Sequence, residues 1–514
     1  MNDFYAGKGV FLTGVTGFVG KMVVEKILRS LPTVGRLYVL VRPKAGTDPH
    51  QRLHSEVWSS AGFDVVREKV GGPAAFDALI REKVVPVPGD MVKDRFGLDD
   101  AAYRSLAANV NVIIHMAATI DFTERLDVAV SLNVLGTVRV LTLARRAREL
   151  GALHSVVHVS TCYVNSNQPP GARLREQLYP LPFDPREMCT RILDMSPREI
   201  DLFGPQLLKQ YGFPNTYTFT KCMAEQLGAQ IAHDLPFAIF RPAIIGAALS
   251  EPFPGWCDSA SACGAVFLAV GLGVLQELQG NASSVCDLIP VDHVVNMLLV
   301  TAAYTASAPP ADPSPSSLAL SPPQLPLATL PPGTVADVPI YHCGTSAGPN
   351  AVNWGRIKVS LVEYWNAHPI AKTKAAIALL PVWRFELSFL LKRRLPATAL
   401  SLVASLPGAS AAVRRQAEQT ERLVGKMRKL VDTFQSFVFW AWYFQTESSA
   451  RLLASLCPED RETFNWDPRR IGWRAWVENY CYGLVRYVLK QPIGDRPPVA
   501  AEELASNRFL RAML

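Results

Sequence analysis

A short apolar run, Gly9–Leu12, leads directly into Thr13-Gly14-Val15-Thr16-Gly17-Phe18-Val19-Gly20, and helically spaced apolar residues follow to Arg29. Strand, glycine turn and helix in that order constrain this chain more than any other feature. Only glycine lets the backbone turn so tightly and lets its amides come close to a ligand. A helix that starts at such a turn offers free N–H groups and a favourable dipole to a pyrophosphate. Thr13, Gly14, Thr16, Gly17, Phe18, Val19 and Gly20 are therefore the first candidate cofactor contacts. The spacing is Gly-x-x-Gly-x-x-Gly, one residue wider than the Gly-x-Gly-x-x-Gly of most dehydrogenases.

The same alternation continues. Apolar runs at Leu37–Val41, Val84–Val87, Val110–His115, Ser155–Val159 and Phe237–Phe240 are separated by helix-like segments. Continuous apolar runs of this length suit strands covered on both faces. The expected class is α/β: a doubly wound parallel sheet of Rossmann type, followed by a mostly helical C-terminal domain. The expected boundaries are 1–305 for the nucleotide-binding domain, 306–339 for a Pro/Ser/Ala-rich insertion and 340–352 for a return to that domain. A helical domain then covers 353–490 and a tail 491–514. The insertion holds Pro309-Pro310, Pro322-Pro323 and Pro331-Pro332, which forbid a helix or an inner strand.

Composition narrows the function classes. With 49% apolar and 19% charged residues the chain has ample core material. A net charge of +7 over 514 residues does not call for nucleic acid. The nine cysteines are scattered, odd in number and form no C-x-x-C pair, which fits a reduced intracellular compartment and no metal site. The N-terminus runs straight into a strand without a secretory signal, and no uninterrupted apolar run of about 18 residues suggests a spanning helix. The terminal Met513-Leu514 does not spell a peroxisomal address.

A fold that prefers NAD places a carboxylate at the end of the second strand; here that strand ends in Arg42, with Lys44 close behind. A guanidinium grips a 2′-phosphate in a fork, so the expected cofactor is NADPH. Asp90, after the third strand, is expected at the adenine edge, and small residues after His115 let the cofactor lie close. Tyr217-Thr218-Phe219-Thr220-Lys221 carries the chemistry. Positions i and i+4 share a helix face, so Lys221 stands one turn from Tyr217 and is expected to lower the phenol pKa toward neutrality. Thr161, at the end of the fifth strand, is expected to hydrogen-bond a substrate carbonyl beside Tyr217. Both Tyr217 and Lys221 are also cofactor contacts on this reading. Asn133 is a candidate to hold a water or brace the lysine. Cys162 and Cys222 flank the site but have no evident base and read as packing.

These residues resemble the extended short-chain dehydrogenase/reductase superfamily, and within it the fatty acyl-CoA reductases, which include plant male-sterility proteins. The resemblance runs through Thr13–Gly20, Val39–Lys44, Val159–Asn165, Tyr217–Lys221, Phe240–Gly246, Glu251–Trp256 and Asp287–Asp292. It extends to Pro458–Asp467, Trp473 and Tyr480–Gly483, which resemble the family's helical C-terminal domain. It implies reduction of a long-chain fatty acyl-CoA by NADPH, through a fatty aldehyde, to a primary alcohol in wax or ether-lipid metabolism. The 306–339 insertion is longer than the family needs, and the chain stops soon after Lys490, where animal relatives often carry a membrane span.

A long acyl chain needs an apolar groove, for which Val266–Leu275 and the helical domain are candidates. The helical domain holds the basic Lys392-Arg393-Arg394, Arg414-Arg415, Lys426, Arg428 and Lys429, and aromatics crowd Phe434–Phe444. Those aromatic and apolar faces are expected to rest in a membrane with the cations at its headgroups, on the endoplasmic reticulum or the peroxisome. A homo-oligomer stays open. Three alternatives share parts of the pattern: a sugar-nucleotide epimerase or dehydratase, an acyl-CoA reductase that stops at the aldehyde, and a non-catalytic membrane scaffold. Arg42 and the 458–490 match oppose the first; the retained Tyr217 and Lys221 oppose the last.

Overall fold

The computed structural model describes residues 1–44, 46–260, 262–307 and 338–491. Most of the 306–339 insertion and of the 491–514 tail lies outside the described residues. Seven strands form the main sheet: β1 (Val10–Thr13), β2 (Leu37–Val41), β3 (Val84–Pro88), β4 (Val112–His115), β5 (Ser155–Val159), β6 (Phe237–Pro242) and β7 (Ile340–Cys343). Their spatial order is β7-β6-β5-β4-β1-β2-β3 and every pairing is parallel. The order reverses between β1 and β4, and ligands bind at such a switch point in open α/β sheets.

Burial explains the strand sequences. Every residue of β1, β4 and β5 is buried, as continuous apolar runs require in a sheet covered on both sides. The exception is β3, which carries Pro86 and Pro88 and lies at the sheet edge, where a strand tolerates a residue without an N–H. The seventh strand follows the Pro-rich segment, so the chain returns to the sheet at Ile340.

Ten helices matter here: α1 (Phe18–Ser30), α2 (Leu135–Glu149), α3 (Thr216–Ile231), α4 (Cys263–Gly271), α5 (Val291–Ser307), α6 (Trp354–Ala367), α7 (Val382–Phe389), α8 (Leu395–Ser405), α9 (Ala411–Phe439) and α10 (Trp473–Gly483). Among the described residues one helical stretch, Leu126–Glu149, is long and apolar enough to cross a membrane, and 61% of its apolar window is buried within the fold.

The helical C-terminal region packs on the Rossmann part through close backbone approach. A Cβ on Gly246 would lie 2.5 Å from the Trp476 ring, and one on Gly483 would lie 1.8 Å from the Gly255 carbonyl. Trp476, completely buried in α10, also donates its indole N–H to the Ala247 carbonyl at 2.9 Å. Lys26 of α1 reaches the other way, to the Thr463 carbonyl and the Glu251 carboxylate.

The expected membrane aromatics are corrected by this packing. Phe434, Phe437, Trp442 and Phe444 are all buried. Phe437 on α9 packs on Phe122 and Tyr163 of the Rossmann part, and Trp442 and Phe444, which follow the helix, pack on Tyr163 as well. A run of exposed apolar side chains sits instead on α7, α8 and the turn between them, with Trp383 and Leu402 each 64% exposed.

Candidate functional site

At the switch point the carboxyl ends of the strands open into a cavity of about 760 Å³. Gly14, Thr16, Gly17, Phe18, Val19 and Gly20 line one end. Gly14 has φ +77°, a left-handed conformation that glycine adopts freely, and a Cβ there would sit 2.9 Å from the Ala117 amide. A Cβ on Gly20 would sit 2.3 Å from the Gly14 carbonyl. Gly17 caps α1, so the amides of its first turn face the cavity end.

Thr13 is placed differently from its expected role. It is buried behind the turn, where its hydroxyl bonds His115 Nδ1 at 2.8 Å and accepts from the Met116 and Ala117 amides. It ties the end of β1 to the end of β4, and so shapes the turn without lining the cavity. Arg42 lines the cavity and lies 3.5 Å from the Asp90 carboxylate. Asp90 sits just behind the wall between Gly89 and Met91, both lining residues. Lys44 is exposed and outside the lining. A second guanidinium, Arg52, takes part in the wall and donates to the Arg42 carbonyl at 2.5 Å. These residues fit a phosphorylated dinucleotide: a turn that admits only glycine at its tightest points, two guanidiniums at the β2 end, and a buried Ser160 hydroxyl in the cavity wall without a protein partner.

Thr161, Tyr217 and Lys221 come together on the same cavity. Asn215 caps α3 by accepting from the Thr218 amide, which fixes the first turn that carries Tyr217. Lys221 follows one turn later, buried, and donates to the Val159 carbonyl at 2.8 Å. Thr161 stands two residues past the end of β5; its hydroxyl donates to the Pro242 carbonyl at 3.4 Å and accepts from the Tyr163 amide at 3.3 Å, beside the Tyr217 phenol. The phenol pKa moves opposite to the expected direction. Burial pushes it up, and the neighbouring Thr161 hydroxyl offsets only part of that rise. The lysine takes the downward shift instead: burial lowers it to about 8, against a smaller upward pull from Glu225. Glu225 is itself clamped by the buried Arg241 at 2.6 Å.

Asn133 lies in a π-helical turn before α2 and binds neither lysine nor tyrosine. Its side chain holds both the amide and carbonyl of Thr119 and donates to Thr220, so it braces the loop that carries Phe122. Burial pushes the Cys162 and Cys222 thiols upward, and Cys162 donates to the Arg241 carbonyl. Neither is a thiolate at neutral pH.

The remaining wall was not evident from sequence. Phe122 stacks on Tyr217, and Phe437 of α9 packs on both Phe122 and Tyr163. Lys429, Thr433 and Phe434 complete the α9 side, while Ile244, Ile245 and Ala265 of α4 form the apolar end. The usable signal was the i, i+4, i+8 spacing of Lys429, Thr433 and Phe437, which puts them on one helix face.

Comparison with known proteins agrees with this architecture. A family model described as male sterility protein matches residues 12–298, and a second with the same description matches 392–491. Fatty acyl-CoA reductase 1 of Gallus gallus is 32% identical over 99% of this chain and 90% of its own length. Fatty acyl-CoA reductase 2 of Homo sapiens is 30% identical over 96% of this chain and 87% of its own. Among solved structures, the terminal R domain of the myxalamid biosynthetic pathway superposes with a TM-score of 0.56 at 18% identity, covering 95% of this chain and 93% of that one. The reductase domain of a Mycobacterium tuberculosis nonribosomal peptide synthetase gives 0.55 at 19%, covering 94% and 92%. At these identities the two structures speak for the fold.

Proposed function

Because the chain belongs to the fatty acyl-CoA reductase family, we propose that it reduces a long-chain fatty acyl-CoA to the primary alcohol with NADPH, through the aldehyde and with release of coenzyme A. The observation that carries this reading is the meeting of Thr161, Tyr217 and Lys221 at a cavity whose far wall is apolar.

The glycine turn, Arg42, Arg52 and Lys221 are the residues that would hold NADPH, which supplies the hydride of each reduction when bound. Tyr217 keeps its proton at neutral pH and so can give it to a carbonyl oxygen as negative charge builds there. The Thr161 hydroxyl is a second donor for the same oxygen. Lys221 supplies a fixed positive charge beside them and remains mostly protonated at pH 7. Phe122, Phe437, Ile244 and Ile245 exclude water, which strengthens each of these interactions. Gas chromatography of products from a panel of acyl-CoAs tests the reading, with NADPH consumed counted per coenzyme A released. Two per thiol and a primary alcohol are expected. One per thiol means an enzyme that stops at the aldehyde; none means the reading is wrong.

In this reading residues 1–305 and 340–352 carry the cofactor and 353–490 cover the substrate. The membrane-facing surface is α7 and α8, where Trp383, Leu391, Leu402 and Leu406 are exposed beside Lys392 and Arg393. An exposed apolar patch bordered by cations suits the face of an anionic bilayer. Flotation with anionic liposomes tests it: Trp383→Ala with Leu402→Ala is expected to leave the protein in the soluble fraction. The proposed residence is the endoplasmic reticulum or peroxisomal membrane, which imaging of the tagged protein decides.

A further inference from the structure

Helix α9 carries one stripe that changes character along its length. Arg415, Arg422, Lys426, Lys429, Thr433 and Phe437 recur at steps of seven, four, three, four and four residues, so they share a face. The opposite face, Ala417, Met427, Val431 and Val438, is buried. At its C-terminal end the stripe enters the catalytic cavity: Lys429, Thr433 and Phe437 line it, and Phe437 touches Phe122, which stacks on Tyr217. At its other end Arg422 and Lys426 are exposed to solvent. The neighbouring cation Arg428 is already used, pairing with Glu386 and Asp432 on a different face. Arg422 has only a loose 3.9 Å contact with Glu418, both well exposed. Among the described residues Lys426 and Lys429 have no ion-pair partner; the Lys429 charge is felt by Asp121 on the facing loop, itself a cavity residue, whose carboxyl it helps to lower.

We propose that Arg422, Lys426 and Lys429 form the binding track for the phosphorylated nucleotide end of the acyl-CoA. This rests on the acyl-CoA reading above. The substrate is charged at one end, neutral along its pantetheine arm and reactive at the thioester, and the stripe repeats that order. From Lys426 to Phe437 is eleven residues, about 16 Å along the helix axis at the usual rise. That separation matches the reach of a pantetheine arm between a thioester beside Tyr217 and phosphates held at Lys426. The cations therefore serve as substrate contacts on the exposed face of α9, and the membrane patch belongs to α7 and α8.

The test is steady-state kinetics of native protein and of Arg422→Ala with Lys426→Ala, two exposed positions outside the cavity wall, using palmitoyl-CoA, the palmitoyl thioester of N-acetylcysteamine, and a fatty aldehyde. Expected is a rise of about tenfold in KM for palmitoyl-CoA, which corresponds to about 1.4 kcal/mol of lost binding. The two uncharged substrates and the NADPH KM should be unaffected, which also shows that the variant is folded. An unchanged KM for palmitoyl-CoA overturns the proposal. So does a variant that loses anionic liposomes in flotation while its palmitoyl-CoA KM holds, which would assign these cations to lipid headgroups. If native protein oxidises no NADPH with any of the three substrates, the acyl-CoA reading itself fails.

Discussion

The ring of Phe122 lies nearly parallel to that of Tyr217, with centroids 5.6 Å apart and planes 19° from each other. Phe437 backs Phe122 from the helical region at a further 5.6 Å. The phenol is thus located by a chain of aromatic contacts that begins in the C-terminal part of the protein. Hydrogen bonds to Asn133 fix the loop that presents Phe122.

Phe122 is therefore a positioning residue, and Phe122→Ala is expected to lower kcat by about tenfold to a hundredfold, because loss of orientation at a reacting group is costly. The NADPH KM should stay within error. Phe122→Tyr, which restores the ring, should recover most of the rate. A Phe122→Ala enzyme with native kcat would show that the stacking does not orient the phenol.

The pH dependence belongs to the lysine. Burial lowers Lys221 to about 8, whereas burial raises the Tyr217 phenol, so the phenol does not titrate first. Activity that needs the ammonium is expected to fall as pH rises through about 8. Lys221→Arg, if it retains measurable turnover, should lose that alkaline limb, because guanidinium stays charged. Stability runs the other way. Between the folded value near 8 and the ordinary value of 10.5 the unfolded chain binds more protons, so stability rises with pH across that window. Below it the buried ammonium costs roughly 3 kcal/mol, from 1.36 kcal/mol per pKa unit. Lys221→Met should accordingly melt a few degrees higher at pH 7 while losing activity. A lower melting temperature would mean that the Val159 contact outweighs desolvation.

Tyr217→Phe tests the proton donor directly. Removing a general acid typically costs a factor of about 10² to 10⁴. Both acyl-CoA and aldehyde reduction should suffer, while quenching of protein fluorescence by NADPH persists. Loss of only the aldehyde step would assign a different donor to the thioester step.

Periodicity reached some parts of this site and not others. Leu37–Val41 and Ser155–Val159 are strands at the positions where continuous apolar runs occur, because a doubly covered strand has no polar face to confuse the pattern. Tyr217 and Lys221 were visible because four residues on a helix is a fixed geometry. The direction of their pKa shifts was not, since desolvation depends on what covers α3. Thr13 belongs to the glycine-turn sequence, but only the neighbouring strand reveals that its hydroxyl faces His115. Phe434 and Phe437 form an apolar face in sequence. A helical pattern says that a face must be covered, not whether lipid or the other half of the protein covers it.

Cofactor preference should depend on two arginines. Arg42 and Arg52 both line the β2 end of the cavity, and Asp90 sits 3.5 Å from Arg42. Arg42→Ala is expected to raise the NADPH KM by about tenfold and to leave the NADH KM nearly unchanged, as loss of one charge-assisted contact is worth about 1.5–3 kcal/mol. Because Arg52 remains, the double variant should show a further loss for NADPH only. An equal rise for both cofactors would mean that Arg42 shapes the loop and does not contact a 2′-phosphate.

The glycine turn gives the strictest prediction. A methyl group on Gly20 would press into two backbone groups, the Gly14 carbonyl at 2.3 Å and Val15 Cα at 2.7 Å. Neither is the end of a flexible side chain, so α1 must move away from the turn to make room. Outside the cavity Ala ordinarily stabilises a helix by up to about 1 kcal/mol over Gly. Here the collision reverses the sign. Gly20→Ala is expected to weaken NADPH binding at least tenfold and to lower the melting temperature, both read in one calorimetric titration series. By contrast, a Cβ on Gly17 would meet only the Gly14 carbonyl, at 3.3 Å, so Gly17→Ala should keep its stability and lose affinity alone. Equal stability losses in the two variants would show that the turn is strained for some reason other than its close approach to α1.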